Sequence, residues 1–436
     1  MDTYNSKIIP DRGKIFIGAQ PLVLKGVGSK FPFTTSNNSS LPYAVNAMNF
    51  RFSVPDTITI DYGDGTVTTF NTFTYASVAN VFIISANLYY TDLQAQHPVH
   101  NYADGLSIER TVKISYNRSN LIRYYQSANI GFSVQPFNFI WAAHPALQEF
   151  YLSAMSFVTT LNLDGLTANS CPFLKVLDLT CFASASEWYN HAPVSVFNIP
   201  AENLWIGSPG YSSNTTINGT NLHEIANYPI KNYLVNLRLT SMGLTDTLGL
   251  PSNWTSTNLP ALRLLQISAG NAYTSIPAQV NSLTLLTQLI MSGSTALTAY
   301  GNISALKDSL VTLDWQSSTT VYSLGNYPSY FDTFTKLRSI SYANCGQSTQ
   351  SVCTAIVDIL YNLVTRNAPL TGANNGTVPY RGMTFNLTVS TGTTAVNGTI
   401  QAPTGFVLGS SNGSPANTGE KIYILRNQYG ATVLIT

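Results

Sequence analysis

The chain has 436 residues, a formal net charge of +1, and 9% charged residues, well below the usual quarter or so. That length exceeds one ordinary core and calls for two or three domains. A surface so poor in charge must be built from Asn, Ser, Thr and Tyr; it carries no basic footprint for nucleic acid and no patch for anionic lipid.

Residues 1–44 read as an extended N-terminal arm, rich in Gly, Ser and Asn around "GVGSKFPFTTSNNSS". The opening "MDTYNSKIIPDRGKIFIGAQ" has no apolar run of secretory length, and no later stretch approaches the roughly 18–20 apolar residues of a membrane span. No secretory route and no membrane insertion are therefore expected. Triplets such as Asn218-Gly-Thr220 and Asn302-Ile-Ser304 then read as polar loops, not glycosylation sites.

A different texture spans 45–120. "FRFSVPDTITIDYGDGTV" (50–67) predicts an alternating strand and a tight turn, whose glycines permit positive φ and whose aspartates bond local amides. "HNYADG" (100–105) then precedes a strand at Thr111–Ser115. Together "IDYGDGT" and "HNYADG" resemble the signature of PKD-type β-sandwich domains, with Tyr62 where that signature has tryptophan. The resemblance implies a β-sandwich over about 45–118. Asp61, Asp64, His97 and His100 have the residue types of metal ligands. Turn aspartates and a packed histidine account for them equally, and no metal or other cofactor is expected.

From 121 to 346 the chain repeats itself. Apolar residues recur with L-x-x-L-x-L spacing at Leu147, Phe150, Leu152; Leu174, Leu177, Leu179; Ala201, Leu204, Ile206; and Leu234, Leu237, Leu239. Four more copies follow at Leu262, Leu265, Ile267; Leu286, Leu289, Met291; Leu310, Leu313, Trp315; and Leu337, Ile340, Tyr342. This is neither the 3.6 period of a helix nor plain alternation; it describes a strand entered through one buried corner. The eight copies resemble leucine-rich repeats over roughly 140–346, although most lack the asparagine that usually follows the strand. The resemblance implies a solenoid in which neighbouring repeats stack a parallel sheet over one continuous core.

Cys171, Cys181, Cys345 and Cys353 show no Cys-x-x-Cys spacing. Free core thiols are expected, though 171–181 and 345–353 pairings remain open.

Residues 347–436 read as a cap. Val352, Ile356, Ile359, Leu360, Leu363 and Val364 share one face of a predicted helix over about 350–365, with Ser348 and Thr349 as N-cap candidates. Strands are expected at Met383–Val389, Ile422–Leu425 and Thr432–Ile435, joined by the polar loops "STGTTAVNGT" and "GSSNGSPANTGE". The fold class is thus mainly β: a PKD-like β-sandwich, a leucine-rich-repeat solenoid with a parallel sheet, and a helix-plus-strand cap. That layout is similar to repeat proteins encoded by Bacteroidetes-type bacteria and their phages.

Walker, dinucleotide and His-Glu-x-x-His motifs are missing from the sequence, so an enzyme is not expected. Binding is. Between the core positions of each strand one residue points away from the core, giving the row Tyr151, Asp178, Trp205, Arg238, Gln266, Ile290, Asp314 and Ser341. Tyr and Trp can stack on sugar rings or anchor a protein, while Asp, Arg and Gln supply directional hydrogen bonds. An ordinary solvated sheet, or one covered by a neighbouring subunit, is the plainer reading.

Three functions follow from this. The first is a virion structural protein of a bacteriophage, a tail fibre, receptor-binding or head-decoration component, partnered by other virion proteins in an oligomeric assembly and by a host surface protein or glycan. A bacterial cell-surface adhesin and a glycan-degrading enzyme are the alternatives.

Overall fold

The computed structural model describes residues 21–27, 30–31, 47–75, 77–85, 100–103, 109–127, 139–153, 165–180, 199, 201–207, 233–240, 243–247, 249–268, 270–371 and 378–436. The protein is mainly β, with two α-helices among these residues. None of its described helices is long and apolar enough to cross a membrane. The chain divides into two compact units, the second beginning in the main at Glu202, within the expected repeat array.

The first unit holds β1 (Leu22–Val27), β2 (Lys30–Phe31), β3 (Ala47–Phe52), β4 (Thr57–Asp61), β5 (Val67–Asn71), β6 (Phe73–Tyr75), β7 (Val78–Ser85), β8 (His100–Asn101), β9 (Glu109–Ser115), β10 (Leu121–Ser127), β11 (Glu149–Ser153) and β12 (Val176–Leu179). One sheet is antiparallel, in the order β1-β9-β4-β5. Alternation decides its faces: Leu22, Leu24, Ile58, Ile60, Val112 and Ile114 are all buried. Within the expected N-terminal arm, Leu22–Val27 is therefore not a free segment. Its alternate leucines enter this core, and its backbone pairs with β9 from Leu22↔Ile114 to Val27↔Glu109.

A second ladder runs β6-β7-β3-β10 antiparallel, then β10-β11-β12 parallel. Phe50, Phe52, Phe82 and Tyr124 point from it to the interior. Ring contacts Phe70–Phe82 at 5.6 Å and Phe50–Tyr116 at 5.4 Å join the two sheets across a common core. The turn between β4 and β5 needs its glycine. Gly63 has φ +82°, and a Cβ there would lie 2.4 Å from the Thr111 carbonyl oxygen.

The second unit holds β13 (Asn203–Gly207), β14 (Asn236–Thr240), β15 (Leu264–Ile267), β16 (Gln288–Ile290), β17 (Thr312–Asp314), β18 (Ser339–Ser341), β19 (Thr384–Asn386), β20 (Thr404–Val407), β21 (Ser411–Ser414) and β22 (Thr432–Leu434), with helices α1 (Gln350–Asn367) and α2 (Thr418–Asn427). Strands β13 to β19 and then β22 form one parallel ladder. Leu204, Leu237, Leu265, Leu289, Leu313, Ile340, Phe385 and Val433 are successive register partners, so one column of apolar side chains runs through the unit. Every member is buried. At about 1.5–3 kcal/mol for each buried large apolar side chain, this column is a principal source of stability, and the fold is leucine-rich-repeat-like. Opposite the sheet, short 3-10 turns at Ala278–Ser282, Ser304–Leu306 and Ser329–Thr333 bury Val280, Leu306 and Phe331.

All eight sequence copies carry a strand, and the cap adds to the ladder. Ser339↔Thr384 and Thr384↔Thr432 show β19 and β22 continuing the stack as further rungs. Helix α1 buries Cys353, Ile356, Val357, Ile359, Leu360, Leu363 and Val364, with Val352 half-buried, and its N-cap is Thr349.

Two expectations for the cap are corrected. Ile422–Leu425 is not a strand but part of α2, and "GSSNGSPANTGE" is not only loop: it supplies β21, which pairs with β20, and the first turn of α2. The helix is set by its start. The Asn417 side chain accepts from the Glu420 amide at 3.0 Å, and the Glu420 carboxylate accepts from the Ala416 amide at 2.6 Å. These reciprocal caps satisfy donors that a strand would leave to a neighbour.

Candidate functional site

Within each unit the expected row residues are register partners, but they differ in what they can offer. In the second unit Trp205, Arg238 and Gln266 are neighbours in register, followed by Ile290, Asp314 and Ser341. Trp205 and Arg238 are half-buried, and the guanidinium carbon lies 4.4 Å from the centre of the indole ring. In the row beside them the Asn236 amide donates to the Asn203 side-chain oxygen at 2.5 Å. Beyond Arg238 the row turns inward on itself. Gln266 donates from Nε2 to Ser268 Oγ, and Asp314 accepts the Gln316 amide at 2.8 Å. Ser341 is buried.

The first unit carries the other two expected residues, Tyr151 and Asp178, as register partners. Asp178 is 2% exposed. Its Oδ1 accepts from the Thr180 amide at 3.0 Å and the Thr180 hydroxyl at 2.6 Å, so its clearest work is to fix the exit of β12. The same device recurs where Asn386 accepts from the Thr388 amide and hydroxyl. Tyr151 is half-buried, and its hydroxyl donates to Glu149 Oε2 at 3.2 Å. Burial first, then the Glu149 charge, push that hydroxyl up to about 12.

Tyr151 also has company that sequence reading missed. Arg51, Arg123 and Glu149 form one outward row across β3, β10 and β11; Asn49, Tyr125 and Tyr151 form the next. Arg123 Nε stands 3.4 Å from Glu149 Oε2, and its guanidinium lies 5.1 Å from the Tyr151 ring and 5.9 Å from the Tyr125 ring. The available signal was a ninth, disguised repeat, Leu121, Tyr124, Gln126, in which two of three core positions are not aliphatic. Tyr124 is nonetheless fully buried and donates its hydroxyl proton to Gln126 Oε1 at 2.7 Å.

Around the Gly63 turn, Asp61 and Asp64 accept the amides of Gly63 and Thr66, both at 3.0 Å. His100 Nε2 meets Asp64 Oδ2 at 2.6 Å while its ring stacks on Tyr62 at 4.4 Å. Desolvation by itself would raise the Asp64 carboxyl, but the hydrogen bonds from His100 and Thr66 together outweigh it and hold the group below the usual range. His97 lies outside the described residues. Among the described residues no group of three or more His, Cys, Asp or Glu could hold a metal ion. Cys171, Cys345 and Cys353 are buried free thiols, pushed up by burial to about 11, 12 and 11. Thiols held so far from the thiolate form are poor nucleophiles. Cys181 lies outside the described residues.

No known family profile and no curated protein matches the chain. Among solved structures, a plant peptide hormone receptor, RGFR1 in complex with RGF2, is similar at 14% identity and a TM-score of 0.27. The match covers 46% of this chain and 33% of that one, so it spans about a third of the receptor chain.

Proposed function

We propose that the protein is a non-enzymatic binding component that uses the outward face of its parallel ladder to hold a protein or glycan. The observation that carries this reading is the Trp205–Arg238 stack, half-buried on a regular sheet face and beside the Asn203–Asn236 pair. A large aromatic surface already ordered by a cation loses little conformational freedom on binding.

More concretely, the reading is of a bacteriophage virion protein, in a tail fibre, receptor-binding or head-decoration role, whose partners are other virion proteins and a host surface molecule. The low charge, the PKD-like turn signature of the first unit and the order of turn domain, repeats and cap support it. The same features support a bacterial surface adhesin. Peptide mass spectrometry of purified virions, with attachment measured for Trp205→Ala particles, tests the proposal. Absence of the protein from particles moves the assignment to the cell surface. Attachment unaffected by both Trp205→Ala and Arg238→Ala rejects the binding face.

A further inference from the structure

We propose that the outward face of β3, β10 and β11 in the first unit binds an acidic sugar, with Arg51 taking its carboxylate and Tyr125 and Tyr151 its ring. This deepens the binding reading above and rests on it, but through residues separate from Trp205 and Arg238.

The charge arrangement is the first reason. Arg51 and Arg123 are cross-strand register partners on one face. Like charges placed so are destabilising, and only one is answered within the described residues: Arg123 pairs with Glu149 at 3.4 Å. The Arg51 side chain makes no ion pair or hydrogen bond among the described residues, although its backbone pairs within the sheet. In a chain where charged residues are only 9%, two adjacent arginines facing one carboxylate are a local excess of cation. A planar guanidinium in that position is suited to a bidentate carboxylate.

The second reason is the neighbouring row. Tyr125 and Tyr151 lie with ring centres 5.9 Å apart and planes tilted 58°, both half-buried. Arg123 lies against both rings and steadies them. Alternate residues of a strand are about 6.8 Å apart, so a pyranose over the tyrosines can place a ring carboxylate in the arginine row. The Tyr125 hydroxyl, the Asn49 amide and Glu149 then offer both donors and acceptors to sugar hydroxyls. Glu149 also selects among anions: it repels a doubly charged phosphate more than a singly charged carboxylate, and it can accept from a hydroxyl.

The test is an array of glucuronate-terminated, sialic-acid-terminated and glucose-terminated oligosaccharides probed with the full chain, followed by titration calorimetry. Wild-type protein is expected to hold at least one acidic probe tenfold or more tightly than the glucose probe. Arg51→Ala should bring the acidic probe down to the neutral level, and Tyr125→Ala should weaken both, while each variant keeps the wild-type melting temperature. Should Arg51→Ala fail to fold, Arg51→Gln, which keeps a polar side chain without the charge, supplies the same comparison. Equal affinity for acidic and neutral probes, binding of no acidic probe at millimolar concentration, or discrimination retained without the Arg51 charge would each overturn the proposal. If Trp205→Ala still impairs attachment in that event, the general binding reading survives and only the acidic-sugar site is lost.

Discussion

Arg238 lies over the ring of Trp205, its guanidinium carbon 4.4 Å from the ring centre, although the two are 33 residues apart in sequence and meet only as register partners of β13 and β14. The contact orders both side chains on a sheet face before any ligand arrives. Trp205→Ala removes the stacking surface, and in the attachment role proposed above it should weaken binding by about 1–3 kcal/mol, roughly five- to hundredfold. Arg238→Lys keeps the charge but loses the planar stack, and is expected to recover only part of the wild-type affinity. Surface plasmon resonance against purified host envelope would measure both.

Leu265 is fully buried between Leu237 and Leu289 in the central column. Leu265→Ala should lower unfolding free energy by about 2–5 kcal/mol, because the stacked rungs on either side cannot close the gap. Leu265→Asp would bury a carboxylate with no cation beside it and is expected to yield insoluble protein. Denaturant midpoints and soluble yield check the pair. Normal folding of the aspartate variant would mean that this column is not the core.

The rungs were legible because one residue type recurs where stacking demands it. Leu237, Leu265, Leu289 and Leu313 could be placed in register from spacing alone, and so could the outward row between them. What stayed hidden had mixed chemistry. Tyr124 and Gln126 mask the rung at β10, and β19 and β22 replace the leading leucine with Gly382 and Gly430. Ile422, Ile424 and Leu425 form a short apolar run that fits strand or helix equally, and only the Asn417–Glu420 capping pair decides between them. The Arg51, Arg123 and Tyr125 cluster was out of reach for another reason. It depends on β3 pairing antiparallel with a strand about 70 residues later, and nothing local announces such a pairing.

Deleting residues from 347 onward should cause aggregation. The deletion removes β19, the partner of β18, and strips α1 from the 3-10 turns beside the last repeats. It also breaks the hydrogen bonds of Arg366 to Asp332 at 2.9 Å and to the Tyr327 carbonyl at 2.8 Å. The apolar edge containing Leu337 and Ile340 would face water. A truncated chain that is monomeric by light scattering, with an intact melting transition, would show the cap to be an appendage.

His144 provides the pH dependence. It is 1% exposed, and its ring stacks on Phe139 at 4.0 Å. Nδ1 lies 2.8 Å from the Ile140 carbonyl, and Nε2 lies 3.1 Å from the Tyr116 hydroxyl. This fits a neutral ring that donates from Nδ1 and accepts at Nε2. Burial is the main cause that lowers its pKa to about 3, and the nearby Arg118 charge acts the same way. The folded state therefore refuses a proton that the unfolded chain accepts below about 6.5. Between those two values the unfolded state binds more protons, so stability is fully present above pH 6.5 and falls on acidification, by at most about 1.4 kcal/mol per pH unit. Between pH 6.5 and 5 the His144 contribution should cost about 1.6 kcal/mol, because the unfolded imidazole is already half-protonated at the upper value. Urea unfolding of wild type and His144→Gln at both pH values isolates it, because all other titrating groups are common to the two proteins. The variant is expected to start less stable and to lose less on acidification. Parallel losses in both proteins would assign the acid sensitivity to another group.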